Sequence, residues 1–80
     1  MINYKIGNEL DLDEVVELYR DSGLGERRPI DDVGLFRDMI RNANLIITAW
    51  DGELLIGIAR SISDFSYVTY LSDLAIRKSY

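Results

Sequence analysis

Between Leu45 and Ile76 three apolar, β-rich runs follow one another, and the turns that separate them leave an antiparallel meander as the natural fold. Leu45 to Trp50 is the first run, and Asp51-Gly52 after it is among the strongest short-range hairpin signals a sequence can carry. Glu53 to Ser63 predicts a longer strand, interrupted by Gly57, which suggests a bulge or a close backbone approach. A second turn at Asp64-Phe65-Ser66 leads into a last strand from Tyr67 to Ile76. These strands are apolar enough that both sheet faces are expected to be covered in an intact protein.

The first half supplies the covering layer. Ile2, Tyr4 and Ile6 alternate with Asn3 and Lys5, which predicts a short opening strand closed by Gly7-Asn8. Asp11 lies three residues before Glu14, close to a capping box, and Leu12, Val15, Val16 and Tyr19 repeat at helical spacing. Gly23 is the expected stop of that helix. Ser22 to Ile30 reads as a loop, after which Asp31 or Asp32 caps a second helix with Phe36, Met39, Ile40 and Ala43 on its apolar face. The element order is β-α-α-β-β-β, an α/β (α+β) class with a mainly antiparallel, twisted sheet. Eighty residues allow one domain of marginal stability.

Composition narrows the chemistry. The chain has neither cysteine nor histidine, which excludes disulfides, thiol nucleophiles, Ser-His-Asp catalysis and ordinary zinc sites. No D-x-D-x-D-G calcium loop occurs, and no metal site is expected. Proton transfer is left to Asp, Glu, Tyr, Lys or water. Residues 1–40 hold ten acidic side chains against five basic ones, so no basic stripe invites nucleic acid. The uncharged apolar runs fall far short of the ~20 residues of a membrane span, and Met1 is followed by no signal-peptide pattern. A cytoplasmic protein without a membrane partner is the expectation.

Three stretches taken together resemble the GNAT (Gcn5-related N-acetyltransferase) superfamily. The first is the β-α-α-β opening with Gly-Leu-Gly-Glu-Arg-Arg-Pro between its helices. The second is Trp50-Asp51-Gly52-Glu53-Leu54-Leu55-Ile56-Gly57-Ile58-Ala59-Arg60, similar to the family's D-G-x-x-x-x-G-x-x-R pattern. The third is Tyr70-Leu71-Ser72-Asp73-Leu74-Ala75-Ile76-Arg77-Lys78-Ser79-Tyr80, similar to the x-D-L-A-V-x-x-x-Y strand that precedes the family's Q/R-x-x-G-x-G/A phosphate loop. No such loop follows this strand within residues 1–80. The resemblance therefore implies that residues 1–80 are the N-terminal portion of an acetyltransferase domain, truncated before the CoA pyrophosphate loop and inactive alone.

The resemblance also implies a site. The backbone of Leu74, Ala75 and Ile76 would pair with the pantetheine arm of acetyl-CoA, the co-substrate, as an added strand does. Asp73, near the family's strand-splaying bulge, would be a catalytic base if burial raised its pKa. Glu26, Arg27 and Arg28 would line the acceptor side, where Glu26 could receive an amine and the two guanidinium groups could clamp an anionic substrate. Tyr70 joins them as an aromatic of the same cleft. The acceptor, a small-molecule or protein amine, would attack the thioester directly in a ternary complex. A different class stays open: a non-catalytic α/β module that self-associates, as a homodimer, through its exposed last strand.

Overall fold

The computed structural model describes residues Met1–Tyr80. Strand β1 (Ile2–Ile6) opens the chain and is followed by helix α1 (Leu12–Ser22), a 3-10 turn (Leu24–Arg27) and helix α2 (Val33–Asn42). Strands β2 (Leu45–Asp51), β3 (Leu54–Ser63) and β4 (Thr69–Ile76) complete a four-stranded antiparallel sheet in the order β1-β2-β3-β4. The two-helix, four-strand α+β architecture is the one the sequence predicts. No helix is long and apolar enough to cross a membrane.

Local chemistry sets the helix ends. The Asp11 carboxylate accepts from the Asp13 amide at 3.0 Å, so it is an N-cap without the reciprocal Glu14 half of a capping box. Gly23 stops α1 in the left-handed conformation, φ 87°, and its amide donates to the Arg20 carbonyl. Asp32 caps α2 by accepting from the Leu35 amide. The expected open loop after α1 is partly ordered as the 3-10 turn, because the Ser22 hydroxyl accepts from the Leu24 amide while donating to the Tyr19 carbonyl.

One face of the sheet carries both helices. Val15, Leu18, Tyr19, Phe36 and Ile40 pack on Ile46, Leu55, Ile58 and Ala75, and the Tyr19 and Phe36 rings meet edge-on at 5.0 Å. Leu18, which the four-residue stripe omits, is among the most buried side chains, whereas Leu12 and Val16 lie at the periphery.

Two bulges phase the later strands. Ala49 pairs with Gly57 and Trp50 with Leu55, so Ile56 is an extra residue beside Gly57. It lets Leu55 and Ile58, three apart, face the same core. Arg60 pairs with Asp73 and Ser61 with Leu71, so Ser72 is an extra residue in β4. The last strand begins at Thr69, two residues later than its sequence pattern indicates. Asp64 draws Tyr67 and Val68 into the turn by accepting from the amides of Ser66, Tyr67 and Val68. Beside this turn, at the same end of the strands, Asn44 exchanges two hydrogen bonds with the Ser63 backbone.

Candidate functional site

Asp73 is the buried charge of the molecule. It stands directly across from Arg60 on the helix-bearing face, next to the Ser72 bulge, and is 1% exposed. Arg60 Nε donates to Oδ2 at 2.6 Å, Arg28 Nε to Oδ1 at 2.6 Å, and the Tyr19 hydroxyl to Oδ2 at 2.8 Å. The remaining donors of the two arginines are also engaged. Arg28 reaches the carbonyls of Ser72 and Arg27, and Arg60 Nη2 reaches the Ser72 hydroxyl. Four segments of the chain converge on one carboxylate, and no buried side-chain polar atom lacks a partner.

The electrostatics follow from this geometry. Burial opposes the Asp73 charge, but the hydrogen bonds from Arg60, Tyr19 and Arg28 and the charge of Arg60 outweigh it, holding the carboxyl below its usual range. Burial, with the bond to Asp73, pushes the Tyr19 phenol up. A base for an ammonium needs a raised pKa and an open lone pair. Asp73 has a lowered pKa and a carboxylate occupied by donors, so its setting is that of a structural anchor and departs from the base role read from the sequence.

Beside this anchor the outer edge of β4 is open. The Arg77 amide donates inward to the Ile56 carbonyl, and antiparallel alternation then turns the Ala75 backbone inward and the Leu74 and Ile76 backbones outward. Of the three residues assigned to the pantetheine arm, two offer free backbone groups. Ala75 is engaged with β3 and its methyl is buried in the core.

The 3-10 turn stands over this edge. Ser22, Gly23, Leu24, Glu26, Arg27, Leu74 and Ile76 enclose an open cleft of about 360 Å³. Glu26 and Arg27 therefore line the same cleft as Leu74 and Ile76. Arg28 does not join them, since its guanidinium is spent on Asp73, so the paired-arginine clamp does not form. Tyr70 lies before the bulge, 65% exposed and opposite Ile62, away from the residues that line this cleft. No group of three or more Asp or Glu side chains is gathered as for a metal ion.

Tyr19, Arg60 and Ser72 are the participants to which sequence reasoning gives no role. Tyr19 reads as one more apolar position of α1. Arg60 closes the quoted hairpin pattern, and a charge two residues from buried Ile58 on the same face of a strand was the available signal. A larger concavity of about 480 Å³ lies between β1, Asn8–Asp11 and Trp50. Its polar groups serve the fold: Lys5 sits 4.7 Å from the Trp50 ring, Asn8 binds the Arg41 carbonyl, and Asp11 caps α1.

No protein-family model matches the sequence, and no curated protein does. Solved structures do match. A GNAT-family acetyltransferase of Streptococcus pneumoniae TIGR4 aligns with all of this chain at 25% identity and a TM-score of 0.72. A protein of meticillin-resistant Staphylococcus aureus, described as of unknown function and a probable acetyltransferase, aligns with all of it at 24% identity and a TM-score of 0.76. The chain spans 55% and 56% of those two chains. The 80 residues thus carry, from end to end, the fold of the N-terminal half of a GNAT acetyltransferase domain.

Proposed function

We propose that this chain is the N-terminal portion of an acetyl-CoA-dependent N-acetyltransferase, and that the cleft between the 3-10 turn and the open edge of β4 is where acyl donor and amine meet. The single observation that carries this reading is the outward-facing backbone of Leu74 and Ile76, laid along a concave site beside a bulge. Such an edge suits an extended ligand with alternating amide donors and acceptors. Acetyl-CoA has that form in its pantetheine arm and supplies the thioester carbonyl.

The chain's own residues then act mainly by position. Leu74 and Ile76 align the arm along the strand. Glu26 and Arg27 sit on the acceptor side, where the Glu26 carboxylate can hold an ammonium and Arg27 an anionic group of the substrate. Asp73, through Arg28, fixes the loop that carries them. Amine attack on the thioester needs no enzyme nucleophile, in keeping with a chain that has no cysteine and no histidine. No Q/R-x-x-G-x-G/A segment follows β4 within residues 1–80 to hold the diphosphate end of the donor, so we expect these residues alone to bind CoA weakly and to turn over none.

The test is titration of CoA into the 80-residue chain and into the polypeptide read from its gene beyond Tyr80. Tight binding only by a longer chain that bears a Q/R-x-x-G-x-G/A segment directly after β4 supports the reading. A gene that stops after Tyr80 removes it. One feature favours a second reading, a non-catalytic module that self-associates: the sheet is open along β4 and across one whole face, which carries large exposed apolar side chains.

A further inference from the structure

Each of the three side-chain nitrogens of Arg28 donates to a different acceptor. Nε reaches Asp73 Oδ1 at 2.6 Å, Nη1 the Arg27 carbonyl at 2.9 Å and Nη2 the Ser72 carbonyl at 3.2 Å. One acceptor belongs to the 3-10 turn, and the other two lie in β4, 44 and 45 positions further along the chain. The local sequence prepares this reach. Arg28 precedes Pro29, which disfavours helical backbone before it, and Arg28 is extended, with φ −133° and ψ 148°. Ile30, two residues on, is buried in the core, and its amide donates to the Arg28 carbonyl at 2.8 Å. The backbone of Arg28 is thus held on the side of the core while its guanidinium crosses to β4.

Ser72 is where β4 bends. A bulged residue stands outside the regular ladder, and its strand changes direction there. Both oxygens of Ser72 are gripped by arginines: Arg28 donates to the carbonyl and Arg60 Nη2 to the hydroxyl, at 2.9 Å. The two grips come from different places. Arg60 belongs to β3 and holds the bulge within the sheet. Arg28 follows Glu26 and Arg27 directly and holds the bulge to the turn that carries them. Leu74 and Ile76 leave the bulge two and four positions later, so this one guanidinium spans the two walls of the cleft from outside its lining.

We propose that Arg28 is a positioning residue that sets the spacing between the acceptor side and the donor strand. By fixing the Ser72 carbonyl against the Arg27 backbone, it fixes the direction in which the Leu74 and Ile76 backbones run past Glu26 and Arg27. The proposal rests on the acyl-donor reading given above. It calls for arginine specifically. A lysine could balance the charge of Asp73, but its single nitrogen is a point charge and cannot hold three acceptors in the plane of a rigid fork. Asp73 keeps Arg60 and the Tyr19 hydroxyl in either case, so loss of the fork shifts the walls and leaves the buried carboxylate paired. A misplacement of about 1 Å between reacting groups is enough to cost roughly a hundredfold in rate.

The test is paired titration of CoA and of adenosine 3′,5′-bisphosphate, its nucleotide end without the arm. Both go into the polypeptide read from the gene through and beyond Tyr80, as wild type and as Arg28→Lys. The dissociation constant of the bisphosphate divided by that of CoA reports the arm alone. Arg28→Lys should lower this ratio about tenfold, the worth of one or two strand-type hydrogen bonds, and leave the bisphosphate constant unchanged. Pro29→Gly, at an exposed position, releases the backbone before it and should lower the ratio by a smaller factor; it replaces Arg28→Lys if that variant does not fold. An unchanged ratio overturns the proposal. An equal loss for both ligands also overturns it, because that marks a merely structural role. A wild type that binds neither ligand, or CoA no tighter than the bisphosphate, fails the acyl-donor reading itself, and the proposal falls with it.

Discussion

Arg60 and Asp73 stand opposite each other in adjacent strands, with Nε 2.6 Å from Oδ2, and the carboxylate in this pair is closed to solvent. Arg28 holds the other oxygen from a segment 45 residues away. Through Arg28, Asp73 thus ties the loop between the helices to the strand whose free edge it overhangs. A salt bridge of this kind matters less for net stability than for what happens when one partner is removed.

Asp73→Asn should be strongly destabilising, by about 3–5 kcal/mol, because Arg60 and Arg28 would keep buried charge without a counter-ion. Urea unfolding of the two proteins checks this. A loss below about 1 kcal/mol would show that water reaches the cluster and that the anchor is dispensable.

The pH dependence has a definite sign. Asp73 is more acidic in the folded chain than when unfolded, so its contribution is fully present above the unfolded carboxyl pKa of ~3.9 and is lost as pH falls through the lower folded value. The stability difference between the wild type and Asp73→Asn should be flat from pH 7 to about 5 and narrow below about pH 4. A difference that narrows on raising the pH instead would mean that Asp73 is protonated in the fold.

Tyr19→Phe tests the neutral member of the cluster. It keeps the ring packed on Phe36 and removes only the hydroxyl bond to Asp73, so the expected cost is about 1.5–3 kcal/mol in denaturant. The Asp73 carboxyl, followed by NMR titration, should become less acidic when this donor is lost.

Amide hydrogen exchange can map the open edge directly. Ala75 and Arg77, whose amides face β3, should be protected, and Leu74 and Ile76 should exchange much faster. Equal protection at all four positions would show that the edge is paired in solution, and the cleft beside it would lose its strand-like docking surface.

Much of this was legible in the chain, for identifiable reasons. The Asp51-Gly52 turn and the β-branched runs around it are local signals, and the meander follows from them. Gly23 is equally local. The misplacements come from interactions distant in sequence or dependent on a single hydrogen-bonded turn. Asp64 delays the start of β4 by capturing three amides, which no alternation of side chains announces. Arg28 looks like half of a surface pair with Arg27 until Asp73 draws it inward from 45 positions away. Asp73 could be singled out as the lone carboxylate in an apolar strand. Whether it would be a base or an anchor depended on Arg28, Arg60 and Tyr19, which only the folded sheet brings together.

Ser72 has a consequence for how this strand tolerates change. A strand reads in half-steps, and one surplus residue puts Thr69–Leu71 and Asp73–Ile76 out of phase with each other. Loss of a single codon there would bring the two blocks into one continuous alternation. Asp73 would stay opposite Arg60, Leu71 opposite Ser61 and Tyr70 opposite Ile62, so every side chain would keep its side and only the bulge would be lost. The surplus residue thus sets the bend and local twist of β4, while the sides taken by Tyr70, Leu71 and Asp73 are those an unbroken strand would give them.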